Sequence, residues 1–195
     1  MQKPLGQYRS VYIETEWDPK DFAGETRYVA ALRQEGLPSV AIMAAHLDDP
    51  TIDALLAHHA SFPFVRGIRH KPRSHPTPGN SAPGGMMDSA WRRGYARLEH
   101  HNLGFELQTP WWHMHEAVTL VKEYPNTPII INHAGLPADR SAEGLAAWAK
   151  AMAVIAACDG VAIKISGIGQ KDQPWTADAN RSIVLTLIDL FGVER

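Results

Sequence analysis

Ile129-Ile130-Ile131-Asn132-His133-Ala134-Gly135 is a β-branched apolar run that turns polar within one residue and ends on glycine. A strand apolar at every position, rather than at alternate ones, is expected to be buried on both faces, as in a parallel sheet covered by helices. Two other stretches share the pattern. Val11-Tyr12-Ile13 leads into Glu14-Thr15-Glu16, and Val161-Ala162-Ile163 leads into Lys164-Ile165-Ser166. Polar side chains gathered where such strands finish place chemistry at the carboxyl-terminal rim of the sheet.

Working outward, strands are predicted over residues 11–15, 39–44, 64–69, 103–108, 128–132 and 161–166. Between them apolar residues recur at helical spacing. Trp91, Tyr95 and Leu98 form one stripe behind an Asp88 N-cap, and Leu145, Trp148, Met152 and Ile155 form another behind Ser141. Ile52, Leu55 and Leu56 follow Asp49-Pro50, with proline at a tolerated first-turn position. Ile183, Leu187, Ile188 and Phe191 make the last stripe. Six strand-then-helix units with no hairpin between them predict an α/β fold with a parallel sheet. No Gly-x-Gly-x-x-Gly follows a strand and no Walker A sequence is present, so a (β/α) barrel is preferred to a nucleotide-binding sheet.

The composition suits a soluble globular chain of one domain, residues 1–195, with 45% hydrophobic and 21% charged residues and a net charge of −2. That near-neutral balance gives no electrostatic footprint for nucleic acid or an anionic membrane surface. No apolar run reaches the roughly 18 residues that cross a bilayer. The opening MQKPLGQYRS lacks the apolar centre of a leader. The single cysteine, Cys158, excludes an internal disulfide, and a cytoplasmic location is expected. Cys158 also precedes a strand at the opposite rim, which argues against a nucleophile.

Residues 71–85, KPRSHPTPGNSAPGG, are rich in proline and glycine and predict a long βα loop over the polar rim rather than a linker. His133 is the strongest chemical candidate, as a metal ligand or general base; the competing reading is a core histidine bonded to a backbone carbonyl. Arg69, in Arg66-Gly67-Ile68-Arg69-His70, either holds a substrate carboxylate or bridges Glu14 or Glu106. Glu106 and Gln108 alternate onto one face. Trp111, Trp112 and His113 then begin a helix, and the tryptophans suggest an apolar substrate wall. Lys164 and Ser166 share a face, as do Glu14 and Glu16. The pairs His58-His59 and His100-His101 fall late in helices and read as surface, as does His115. His46 and His75 stay open.

Taken together, ETEWDP (14–19), RGIRH (66–70), LQTPWWH (107–113), INHAGLPADRS (131–141) and VAIKISGIG (161–169) resemble the amidohydrolase-related family, barrel hydrolases that include sugar-acid and dicarboxylate lactonases. The resemblance implies hydrolysis of a small cyclic ester or a similar C–O or C–N bond. It implies His133 and Arg69 as catalytic residues, and Glu14, Gln108, Trp112, His113, Lys164 and Ser166 as substrate-binding residues. A divalent metal, zinc by preference, with His133 as ligand, is the implied cofactor, although some such lactonases work without one. The implied partner is a small-molecule substrate, with neither nucleic acid nor membrane, in a chain able to form a homo-oligomer. Two alternatives stand beside hydrolysis: nonoxidative decarboxylation of an aromatic or unsaturated carboxylate, and a non-enzymatic assembly module.

Family members begin with a strand ending in His-x-His and finish with a strand carrying an aspartate that activates water. Neither is present, and a barrel of eight strands occupies about 250 residues. About six of eight βα units are therefore expected, and the 195-residue chain alone is expected to be weakly active or inactive.

Overall fold

The computed structural model describes residues 9–80 and 82–195; the residues read as lacking a leader lie mostly outside this range. Six parallel strands form one sheet in sequential order: β1 Val11–Ile13, β2 Val40–Ala44, β3 Val65–His70, β4 Gly104–Leu107, β5 Ile129–Ile131 and β6 Val161–Ile163. The sheet curls into part of a (β/α) barrel, as the strand-then-helix rhythm requires, because each parallel pair needs a crossover. All six predicted strands exist, with ends within three residues of those predicted. The polar residues after β1, β5 and β6 belong to the loops that follow, whereas Arg69 and Glu106 lie within β3 and β4.

The helices are α1 Phe22–Leu32, α2 Ile52–Ala60, α3 Ser89–Tyr95, α4 Arg97–His100, α5 Met114–Glu123, α6 Ala142–Ala156 and α7 Ala177–Phe191. Side chains cap the longer ones as their sequences anticipate. Asp88 accepts from the Ala90 and Trp91 N–H groups, and Ser141 from Gly144 N–H. Helix α1 was not singled out by spacing; Asp21 caps it through Gly24 N–H. Pro50 lies in a turn ahead of α2 rather than in its first turn, because Asp49 binds both the N–H and the hydroxyl of Thr51.

The core lies between sheet and helices. Ile68, Phe105, Leu107, Ile129, Ile131 and Val161 point outward beneath the helices and are at most 5% exposed. Trp91, Tyr95 and Phe105 pack with ring centroids 5.2–5.6 Å apart. The opposite face is less covered than the uninterrupted apolar runs imply. Ile13, Ile130 and Ala162 are half-buried, because they line the concave side of a sheet whose edge strands are β1 and β6.

His59 corrects the surface reading of its pair. It is fully buried, Nδ1 meets Thr26 Oγ1 at 2.8 Å, and Nε2 reaches the Ala44 carbonyl at 3.1 Å. Ile52, Leu56 and His59 fall at i, i+4 and i+7, which puts His59 on the core face of α2 and outweighs any dipole preference. His101 bonds Asp53 at 3.0 Å, while His115 is exposed as expected.

Gly94 sets how closely α3 approaches the β2 end. A Cβ added there would fall onto the Leu47 carbonyl oxygen, which is backbone and cannot turn aside. Helix propensity alone would favour Gly94→Ala by about 1 kcal/mol. Overpacking wins, and Gly94→Ala is expected to lose about 1–3 kcal/mol, read as a lower urea midpoint. An equal or higher midpoint would refute this contact.

Candidate active site

The site follows from register and alternation. Arg69 on β3 pairs directly with Glu106 on β4, which pairs with Ile130 on β5, which pairs with Ala162 on β6. Residues two positions on share the same face. Asn132 and Lys164 therefore join Arg69 and Glu106 on the concave side. Arg69 Nη2 donates to Glu106 Oε2 at 2.8 Å and to Asn132 Oδ1 at 3.3 Å, and Nη1 lies 3.5 Å from Glu14 Oε1. Lys164 Nζ pairs with the other Glu106 oxygen. Glu14 and Glu106 carboxylates thus alternate with Arg69 and Lys164 cations across four strand ends. The bridging reading of Arg69 describes this geometry, and the bridge reaches both carboxylates.

From sequence Glu106 enters as a bridge for Arg69 and a face partner of Gln108, and Asn132 as the neighbour of His133; the structure makes the two the centre of the network. A signal was present: Glu106 interrupts an otherwise apolar strand, and it is only 2% exposed. A carboxylate buried there needs a charged partner.

His133 opens a left-handed stretch. His133, Ala134, Gly135 and Leu136 all have φ between +53° and +67°. For the three that are not glycine this conformation costs roughly 1–2 kcal/mol each. The surroundings hold it in place. Ala134 N–H donates to the Lys164 carbonyl at 2.9 Å, and the buried Trp148 indole donates to the Ala134 carbonyl at 2.8 Å. The Gly167 backbone lies against the His133 ring, where a Cβ would come within 2.8 Å. His133 Nδ1 is 3.1 Å from Ser166 Oγ. Burial lowers the His133 pKa, Arg69 and Lys164 lower it further, and Glu106 opposes them. The imidazole is therefore neutral at pH 7. It is not tied to a backbone carbonyl, as the core reading required.

His113 and Trp112 serve the loop. His113 is buried, its Nε2 accepts the His75 N–H at 3.0 Å, and its Nδ1 meets Glu116 Oε1 at 2.7 Å. Glu116 Oε1 also accepts Gly84 N–H at 2.7 Å, and the Trp112 indole donates to the His75 carbonyl at 3.0 Å. The 71–85 loop is pinned near both ends by the start of α5. Gln108 lies one residue beyond β4, half-buried. Glu14 is buried, and Glu16 pairs with Lys71 in the loop region.

Beside Glu14 and Arg69 a cavity of about 610 Å³ opens between the ends of β1, β2 and β3. Its apolar wall comes from Phe22 and Pro19 with the stacked rings of His46 and His70, 5.1 Å apart, rather than from Trp111 and Trp112. Lys71 and Arg73 extend its cationic side.

Among the described residues no three histidine, cysteine, aspartate or glutamate side chains form a metal-ligating group. Glu106, the carboxylate acting on His133, is already neutralised by Arg69 and Lys164. Among the described residues His133, the residue read as a metal ligand, has no second and third ligating side chain beside it. Among the described residues no helix is long and apolar enough to cross a membrane.

The chain is 32% identical over 192 residues to the uncharacterized protein y4mH of Sinorhizobium fredii (strain NBRC 101917 / NGR234), covering 96% of this chain and 64% of that one. Among solved structures it is similar to an amidohydrolase from Burkholderia multivorans with bound zinc, at a TM-score of 0.74 and 19% identity, covering 94% of this chain and 64% of that one. It is also similar to a probable 2-pyrone-4,6-dicarboxylic acid hydrolase from Acinetobacter baumannii with citric acid bound (TM-score 0.64, 17% identity, 95% and 63% covered). A 2,6-dihydroxybenzoate decarboxylase from Rhizobium shares the fold as well (TM-score 0.60, 16% identity, 91% and 64% covered). At these identities the solved structures establish the fold alone. The chain spans about 64% of the length of the curated relative it matches. The amidohydrolase family model matches residues 9–195, and with the strand-end histidine, the parallel half-barrel and the rim network in view, the chain belongs to that family.

Proposed function

We propose that this chain carries much of the active site of a hydrolase acting on a small cyclic ester with an anionic group. The observation that carries the reading is the neutral His133, fixed on Ser166 and surrounded by Arg69, Lys164 and Lys71 at the rim. With Nδ1–H donated to Ser166 Oγ, the lone pair of Nε2 is free to accept a proton. Water adds to the ester carbonyl as its proton passes to Nε2. Arg69 and Lys164 offset the charge that develops on the carbonyl oxygen. The ring C–O bond then breaks, and the departing alkoxide recovers the proton from His133, giving a hydroxy acid.

Ser166 orients the imidazole, and Asn132 and Glu106 orient the two cations. The left-handed backbone supports the same reading, since strain of this kind concentrates at functional sites. Decarboxylation of an aromatic carboxylate has less support, because of the vicinal tryptophans expected to receive the ring Trp112 is engaged with the 71–85 loop and Trp111 packs on the core.

The test is a panel of sugar lactones and unsaturated dicarboxylate lactones, followed by acid release from the purified chain. Turnover is expected to be slow, and His133→Ala is expected to lower it by about 10²–10⁴-fold with unchanged thermal unfolding. Lactone hydrolysis at equal rates in the variant would overturn the reading. Carbon dioxide release from an aromatic carboxylate would favour the decarboxylase instead.

A further inference from the structure

A second cavity, of about 360 Å³, lies between the loop after β5 (136–140) and the loop after β6 (167–171). Arg140 lines it and is unusual in what it lacks. Nη2 donates to the Ile168 carbonyl at 2.6 Å, but Nε and Nη1 are buried with no hydrogen-bond partner. Among the described residues neither Arg140 nor Lys171, on the same cavity wall, takes part in an ion pair.

The neighbouring carboxylate does not answer this need. Asp139 accepts Ser141 N–H at 2.9 Å and packs its carboxylate against Gly144 at the start of α6. Burial alone lowers the Arg140 pKa, with no anion to offset it. A charged donor withdrawn from water without an acceptor costs at least about 1–3 kcal/mol. An acceptor lodged in this cavity would meet that cost, and a guanidinium with an ammonium on the same wall suits an oxyanion.

We propose that Arg140, with Lys171 at the mouth, forms a binding site for a small oxyanion, either a carboxylate or a phosphate group. The site is on the same rim as His133 and is divided from it by the Gly167 backbone, which lines the cavity on one side and touches the His133 ring on the other. It involves none of the residues assigned to ester hydrolysis. The proposal does not rest on the hydrolase reading, because binding is measured without turnover.

The experiment titrates citrate and, separately, inorganic phosphate into the 195-residue chain by calorimetry in a buffer whose only anion is chloride. Saturation by at least one of them below about 10 mM is expected. Arg140→Gln is expected to weaken binding at least about tenfold, the effect of losing one charge-assisted contact. Lys171→Gln is expected to weaken it several-fold, and His133→Ala to leave it within about twofold. Tighter citrate than phosphate identifies a carboxylate ligand, and the reverse order a phosphate.

Arg140→Met gives an independent reading. It removes the guanidinium altogether, so added citrate or phosphate should raise the melting temperature of the unmutated chain but not of the variant. No binding of either anion, binding unchanged in Arg140→Gln, or equal stabilisation of Arg140→Met by added anion would each overturn the proposal. If Arg140→Gln does not fold, Arg140→Lys keeps the charge and should retain weakened binding; full retention would also overturn it.

Discussion

Glu106→Ala is expected to destabilise the protein by about 3 kcal/mol, the lower end of what breaking a buried ion pair costs. The carboxylate is 3% exposed and is shared by Arg69, itself 12% exposed, and by Lys164, 31% exposed. Removing it leaves two cations facing each other across a vacated position. Lys164 can swing toward water, which limits the loss, whereas Arg69 retains the longer 3.5 Å approach to Glu14 and the 3.3 Å bond to Asn132. Glu106→Gln keeps the shape and some hydrogen bonds and should lose less. Urea unfolding measures both. Because Arg69 is mostly shielded, the difference should persist in high salt, unlike that of an exposed pair. A Glu106→Ala loss below about 0.5 kcal/mol, the range of ordinary surface substitutions, would show that the network does not support the rim.

The second large effect is acid lability between pH 6.5 and about 4. His59 and His70 both have pKa values lowered to about 4, chiefly by burial. The hydrogen-bond geometry at His70 also suits a neutral ring. Its Nδ1 accepts from Trp91 Nε1 at 2.9 Å and from Leu47 N–H at 3.2 Å, so a proton there would set three donors against one another. The neighbouring His46 disfavours the charge and Asp48 favours it slightly.

The sign follows from comparing the two states. Above pH 6.5 both rings are neutral whether folded or unfolded, and nothing is lost. As the pH falls through 6.5 the unfolded chain takes up protons that the folded chain refuses, so stability declines until the folded groups titrate near 4. A depression of this size corresponds to about 3 kcal/mol per histidine. The double variant His59→Gln, His70→Gln should therefore show a flatter pH dependence across that window. An unchanged slope would contradict the burial argument.

Much of the fold was legible because strands and helices are encoded by local periodicity. The run Ile129-Ile130-Ile131 and the stripe Trp91, Tyr95, Leu98 each specify an element from its own residues, and the caps Asp88 and Ser141 mark where helices start. Sequential parallel order follows, since short strands separated by helices have few other arrangements. The candidate site was less legible. His133 stood out through the glycine that follows it. Glu106 acquires its meaning only from strands β3 and β6, which bring Arg69 and Lys164 to it from 37 and 58 residues away. Burial likewise escaped local reading at His59, where two adjacent histidines look alike until the helix phase is fixed.

By itself the sequence determined the parallel α/β architecture, the family and the polar rim, because periodicity, capping and strand-end chemistry are written in consecutive residues. Tertiary structure alone decided which polar side chains meet. It paired Arg69 with two carboxylates, gave His113 to the loop, froze His133 in a left-handed turn and left Arg140 without an anion. Those outcomes depend on distances between residues far apart in the chain, and on how little water reaches them, neither of which a local pattern contains.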